Sequence, residues 1–482
     1  MTSLDNLEPS TLWKHFSNIC SIPHPSRHLK QISAYIQSVA NTLGLDTQID
    51  ETGNILISKN ASEGKENLPG VILQGHLDMV PQKNNGVNHD FEKDPITPYV
   101  DGCWVKAKDT TLGADNGIGA AIILAVLESK TITHGPIEAL FTVDEEIGMI
   151  GALGLKPGFL KGKYLLNLDT EEDGQIYIGC AGGIDASAKI SYVEEPANQE
   201  NIAYSVTIRG LKGGHSGIDI HLGRGNAIKL LNRILFSGFT LFDLRISSFQ
   251  GGSVRNAIPR EATSIITIPT RHQNSFNTFI LEQEKLFRSE LQGSDADLKI
   301  DLVPSPLPLK VFTVQSQINL IKAVYACPNG VIRMSSRVLD VVETSNNLAI
   351  IDCENGTAEL HCLLRSSIGT SLRDLEIAVS SALTLAGAHV EFSGDYPEWE
   401  PNPDSKLLKH MTDVYKSANG VTPLVKIVHA GLECGIIGSK YPDMEMVSCG
   451  PTIQFPHSPD ERVEIASVKS FWEYLTKALE VI

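Results

Sequence analysis

Four short stretches of the chain end in side chains that bind cations or move protons. Gly75-His76-Leu77-Asp78 follows an apolar run at 71–74, and Asp115 lies in Ala114-Asp115-Asn116-Gly117, just ahead of an apolar helical pattern. Asp144-Glu145-Glu146 follows the run at 137–143, and Asp169 follows the run at 164–168. An imidazole can hold a metal through one ring nitrogen while a carboxylate accepts a hydrogen bond from the other, which gives His76 and Asp78 suitable types. Taken singly, each stretch has a plainer reading. A loop H-x-D is usually a hydrogen-bonded pair, Asp115 stands where a helix N-cap is expected, and neighbouring acids on a surface loop are merely solvated. Recurrence at the ends of successive strand-like runs is much harder to explain that way, because ligands bind in open α/β folds at the carboxyl edge of the sheet. Asp78, Asp115, Glu145, Glu146 and Asp169 would converge there, and buried carboxylates repel one another unless a cation is present. Two divalent ions would offset four of the five charges. A mixed His and carboxylate set suits Zn²⁺, with Mn²⁺ or Co²⁺ as replacements.

The elements that must position these residues follow from the hydrophobic pattern. Short apolar runs alternate with helical patterns through the first third, which reads as an α/β layer with a largely buried sheet. The middle third changes to alternating, half-exposed strands such as 204–209 and 263–268, interleaved with helices near 226–236 and 275–291. A second set follows, with strands in 348–365, a helix at 371–386 and a strand at 388–393. After the Pro-rich turn at 396–403 the α/β style returns, with helices at 405–417 and 465–480. The expected architecture is an α/β domain, residues 1–183 and 396–482, interrupted by an α+β unit, residues 184–395.

Composition narrows the function classes. A chain of 482 residues exceeds one small module at about 150 residues per domain. Its net charge of −17 argues against phosphate-backbone binding and against an anionic membrane surface. The longest apolar run, 118–127, is far short of the roughly 20 residues that cross a bilayer. The opening MTSLDNLEPSTLWKHFSN lacks the basic start and apolar stretch of a secretory signal, and the eight cysteines form no C-x-x-C pair. A reduced, cytoplasmic protein without nucleic-acid or membrane partners is expected.

Read in order, GHLDMVPQK, LGADNGIG, DEEIGM, NLDTEE, GCAGG, GLKGGHSG, RNAIPR, HAGLECG and GPTIQFPHSPDER run through essentially the whole chain. On these motifs the sequence resembles the aminoacyl-histidine dipeptidases, also called cytosol non-specific dipeptidases, of the M20 metallopeptidase group. The resemblance implies a two-domain di-zinc exopeptidase that hydrolyses unblocked dipeptides, including Xaa-His dipeptides such as β-alanyl-histidine. It implies one metal on His76 and Asp169, a second on Glu146 and His457, and Asp115 bridging both. Glu145 matches the general base and Asp78 the acid that orients His76. His215, Asn256 and Arg365 match positions that contact the substrate's carbonyl oxygen and terminal carboxylate, and Gly431 would lend backbone contacts near the same end. Without the resemblance these residues have plainer readings: His457 a surface histidine in a Pro-fixed turn, His215 and Asn256 turn residues, Arg365 a solvated strand residue, and Gly431 a helix-start glycine. A relative that deacylates N-acyl amino acids would share every ligand, and a binding protein without turnover would have lost Glu145 or a ligand. The resemblance makes residues 1–183 and 396–482 the catalytic domain and residues 184–395 a lid, longer than the dimerising lid of many relatives, whose two strand-and-helix sets would imitate a lid pair within one chain, with a homodimer as the alternative.

Overall fold

The computed structural model describes residues 4–482. The chain forms two compact units. One takes in the chain up to Cys180 with Trp399–Ile427 and Leu432–Ile482, and the other comprises Ala181–Glu398 with Val428–Gly431. These boundaries lie close to the expected 183/184 and 395/396. The short segment Val428–Gly431 differs: the sequence reading assigned it to the catalytic domain, but it packs with the second unit, where the amide of Ala181 donates to the carbonyl of Val428.

An eight-stranded sheet forms the first unit's centre, in the order Asp46–Ile49, Ile55–Lys59, Ile137–Thr142, Val71–His76, Tyr164–Asn167, Glu445–Ser448, Gln175–Cys180, Leu424–Val428. Four neighbouring strands, from Ile137–Thr142 to Glu445–Ser448, run parallel. Every residue of Val71–His76 and of Tyr164–Asn167 is buried, as expected of parallel strands covered on both faces. The helix Ala114–Glu128 is apolar all round and accordingly buried all round, Ile118 to Leu127 without exception. The chain passes from Val71–His76 to Ile137–Thr142 on one side and then back across to Tyr164–Asn167 on the other, and this reversal opens a crevice at the carboxyl ends of the strands. A separate four-stranded sheet pairs Ile453–Gln454, Arg462–Glu464, Trp104–Ala107 and Pro98–Asp101.

Two glycines explain how closely the helix Ala114–Glu128 approaches that crevice. Asn116 sits in a slot between Gly75 and Gly119, its Nδ2 donating to the carbonyl of Leu168 at 2.8 Å, and a Cβ on either glycine would collide with its Oδ1. Gly75→Ala should therefore lower stability by about 1–3 kcal/mol through overpacking, read as a lower urea midpoint in metal-free protein. An unchanged midpoint would contradict this account.

The second unit carries a nine-stranded sheet whose continuous path runs Lys299–Ser305, Asn201–Arg209, Ala262–Pro269, Arg245–Gly251, Val342–Glu354, Thr357–Ser366, Gly182–Ser191, His389–Tyr396. Along this path two antiparallel four-stranded runs meet at a narrow seam, Gln250 against Asp352 and Gly251 against Ile351, and the ninth strand, Gly330–Met334, pairs with Val342–Glu354 off the path. The helices Ala227–Phe242 and Gln273–Glu290 pack on the first half, and Gly369–Thr384 packs on the second. One continuous core, including Leu231, Phe249, Phe276, Phe287, Leu360 and Val379, underlies both halves.

Candidate active site

The carboxyl ends of the parallel strands gather the acids and histidines of the first unit. His76, the last residue of Val71–His76, is buried, and its Nδ1 lies 2.9 Å from the backbone carbonyl of Asp78. A carbonyl only accepts, so Nδ1 carries the proton and the lone pair of a neutral His76 sits on Nε2. That Nε2 is 3.1 Å from Asp115 Oδ1 and 3.4 Å from Asp169 Oδ1. On the other side, His457 Nε2 is 3.1 Å from Asp115 Oδ2 and 3.0 Å from Glu146 Oε1. Asp115 thus divides its two oxygens between two clusters, one with His76 and Asp169, the other with His457 and Glu146.

These contacts test whether the residues fit divalent cations. A nitrogen lone pair facing carboxylate oxygens is repulsive unless positive charge lies between them, and the electrostatics show the demand. Burial opposes a proton on His76, yet Asp169, Asp115 and Asp78 outweigh it and raise its pKa well above the usual range. The bonds to Asp115 and Glu146 lift His457 to about 11. Asp169 Oδ1 is buried and makes no hydrogen bond. Donor atoms of His76, Asp115 and Glu146 all lie within 4.8 Å of one another, so the set is shaped and charged for metal.

Local structure accounts for each placement. Asp115 makes no capping bond: Gly113 holds the N-cap position in a left-handed conformation with φ 71°, and Asp115 and Asn116 lie outside helical geometry. The capping alternative is therefore not realised, and the side chain is free to turn toward the histidines. Asp78 faces His76 Nδ1 with both its backbone carbonyl and its carboxylate. Its backbone carbonyl takes the His76 Nδ1 proton, while its carboxylate, 3.5 Å from that nitrogen, accepts from the backbone amides of Glu145 at 2.9 Å and Glu146 at 3.1 Å and from Ser26 Oγ at 2.7 Å. In H-x-D geometry the carbonyl is the nearer acceptor, leaving the carboxylate to shape the turn after Ile137–Thr142. Glu145 stays off both histidines, and burial, reinforced by Asp169, Glu433 and Glu146, pushes its carboxyl well above the ordinary range.

The second unit gathers another group. His215 Nδ1 accepts from the backbone amides of Gly217 at 3.1 Å and Ile218 at 3.0 Å, so the proton of the neutral ring is on Nε2. Burial and the charge of Arg365 lower its pKa to about 4, keeping the ring neutral. The Ser216 amide donates to the carbonyl of Asn256, tying the two loops together. Arg365 is 5% exposed, donates from Nη1 to Tyr396 Oη at 2.6 Å, and has a buried Nε without a partner. It lines a cavity of about 510 Å³ with Asn256, Arg255, Asp185 and Tyr396. Gly431 lies in the segment packed with this unit, one residue before Leu432, the N-cap of Glu433–Lys440.

Sequence reasoning passed over several neighbours. His429 is buried in the HAGLECG stretch, its Nε2 2.7 Å from Ser345 Oγ, and burial with Arg365 lowers its pKa to about 3. Glu433, also buried, accepts from Gln74 at 2.6 Å and Thr142 at 2.8 Å, and burial raises it to about 7. Glu461 accepts four backbone amides of residues 112–115. All three are polar residues inside motifs already singled out; what no pattern shows is a partner up to 359 positions away.

Across its full length the chain is 45% identical to the cytosol non-specific dipeptidase of Escherichia coli, covering 99% of that protein. The crystal structure of an aminoacylhistidine dipeptidase from Vibrio alginolyticus superposes with a TM-score of 0.94 at 48% identity, over 100% of this chain and 98% of that one. A tripeptidase from Staphylococcus aureus shares the fold, with a TM-score of 0.58 at 17% identity over 98% of each chain. The pattern of peptidase family M20/M25/M40 is matched over residues 72–481, and to that family this chain belongs.

Proposed function

We propose that this peptidase hydrolyses unblocked dipeptides, Xaa-His dipeptides such as β-alanyl-histidine among them, with two divalent cations, Zn²⁺ foremost. The observation that carries the reading is the division of Asp115 between the His76–Asp169 and His457–Glu146 pairs, the arrangement a ligand shared by two cations needs. Full-length similarity to two dipeptidases supports the substrate class. His76 and Asp169 would hold one ion, His457 and Glu146 the other, and Asp115 both. When bound, the pair supplies Lewis acidity that polarises the scissile carbonyl and acidifies water.

The protein's own groups do the rest. Glu145, buried and with raised proton affinity, takes a proton from the attacking water and returns it to the leaving amine. His215 offers its Nε2–H to the carbonyl oxygen as negative charge builds there. Arg365 presents a planar fork to the terminal carboxylate, flanked by Asn256, with backbone from Gly431 near the same end. The second unit serves as the substrate-closing lid. Eight free cysteines fit a cytoplasmic setting, and no helix of the described residues is long and apolar enough to cross a membrane.

The test is a panel of dipeptides, their C-terminal amides and N-acyl amino acids, assayed on chelator-stripped enzyme restored with Zn²⁺, Mn²⁺ or Co²⁺. Activity on free dipeptides that disappears with the metal supports the reading, and preference for N-acyl amino acids overturns it. Amidation should harm the wild type strongly and Arg365→Ala only slightly, because both changes remove the same interaction. Additive losses would remove Arg365 from the carboxylate site.

A further inference from the structure

We propose that Glu461 is a positioning residue that sets the spacing of the two-cation site by gripping the backbone that carries Asp115. The proposal rests on the metal reading given above. Glu461 is 2% exposed. Its Oε2 accepts the amides of Leu112 at 2.8 Å and Gly113 at 3.0 Å, and its Oε1 those of Ala114 at 2.8 Å and Asp115 at 3.1 Å. Four successive N–H groups therefore converge on one carboxylate, two per oxygen. The left-handed backbone of Gly113 helps turn them inward, and the groups at the start of Ala114–Glu128 would otherwise lack acceptors.

The same residue is built into the loop that carries His457. That loop joins Ile453–Gln454 to Arg462–Glu464, and its interior is cross-braced: the amide of Glu461 donates to the carbonyl of Ser458 at 3.0 Å, and Ser458 Oγ donates to the carbonyl of Phe455 at 3.0 Å. Next to it, Arg462 stacks on Trp104 at 4.4 Å, and Arg462–Glu464 pairs with Trp104–Ala107. The distance from Glu461 to His457 is thus held by the loop, and the distance from Glu461 to Asp115 by the grip on the amides. The ring closes where His457 Nε2 meets Asp115 Oδ2 at 3.1 Å. Two ligands of one ion, 342 positions apart in the chain, are held in register by a carboxylate that touches neither side chain. It acts as an outer partner of the site, through backbone rather than through a ligand atom.

Glutamine is the informative substitution. It keeps the volume, but its one oxygen can serve only two of the four amides, and its NH₂ faces the other two as a donor against donors. Chelator-stripped wild type, Glu461→Gln and Glu461→Asp would be titrated with Zn²⁺ by calorimetry, and the Co²⁺-loaded forms compared by visible absorption. Outer-partner loss costs about 10–100-fold in metal affinity. That loss is expected for Glu461→Gln, with altered cobalt bands and with kcat falling while KM stays near the wild-type value. Two ions bound with wild-type affinity and an unchanged cobalt spectrum would overturn the proposal. If Glu461→Gln does not fold, Glu461→Asp, which keeps the charge one methylene short, decides on the same readouts. Failure of both to fold would make Glu461 a residue of the whole fold and overturn the assignment. Wild type that takes up fewer than two ions would instead overturn the two-cation reading.

Discussion

Glu145→Gln is expected to retain two divalent ions per chain while kcat falls by about 10² to 10⁴-fold, the usual cost of removing a general base. The reason is local. Glu146, the next residue, reaches His457 Nε2 at 3.0 Å, whereas no bond joins the Glu145 carboxylate to either histidine. The turn that separates the neighbours is held by Asp78 through both their backbone amides, bonds that an amide side chain at 145 leaves intact. Glutamine keeps the size and polarity of the side chain but cannot accept a proton at neutral pH. Metal analysis on dialysed protein together with steady-state kinetics checks both halves. Loss of either ion would make Glu145 a ligand, and ordinary turnover would assign the proton transfer elsewhere.

The second large effect is at His215. A preorganised donor to a developing oxyanion is worth about 10²–10³ in kcat, and His215→Ala should lose that much with a smaller change in KM. The two amide bonds to Nδ1 leave Nε2–H as the only proton the neutral ring can offer, and burial beside Arg365 keeps the ring neutral down to about pH 4. An acid limb of activity above that pH should therefore persist unchanged in shape in His215→Gln, whose amide can still donate. A mutant that loses only KM would show that His215 binds ground state and transition state alike. We propose that the two four-stranded runs joined in the second unit's sheet stand in for a lid pair within one chain. Mixing His215→Ala with Glu145→Gln under subunit exchange should accordingly restore no activity, and recovery would establish donation between chains.

Much of this was legible in the order of residues. Strand-end acids can be read because a buried parallel strand is a short apolar run, and the residue after it must emerge at the carboxyl edge. His76, Glu146 and Asp169 follow from that rule, and the structure brings them together with Asp115. Periodicity also marked several helices to within a few residues, as with Ile465–Val481 against the expected 465–480, but left Ser10–Cys20, Lys30–Leu43 and Val314–Ala326 unmarked. His457 was readable only from family resemblance, since a half-exposed histidine in a proline-flanked turn carries no periodic signal.

Residue types, their spacing at strand ends and the interruption of one α/β pattern by another are properties of local sequence, because burial period and chain direction act over a few residues. By these the sequence alone pointed to a cation site of His76 and strand-end carboxylates, and the family's ordered motifs added the enzyme class and His457. Which oxygen of Asp115 meets which histidine, which acceptor takes the His76 proton, where the proton of His215 resides, that Val428–Gly431 joins the second unit, and that Glu461 holds the Asp115 loop were decided only by the tertiary structure. Each depends on hydrogen-bond geometry between groups that packing alone brings within 3 Å or so, and such geometry leaves no period in the chain.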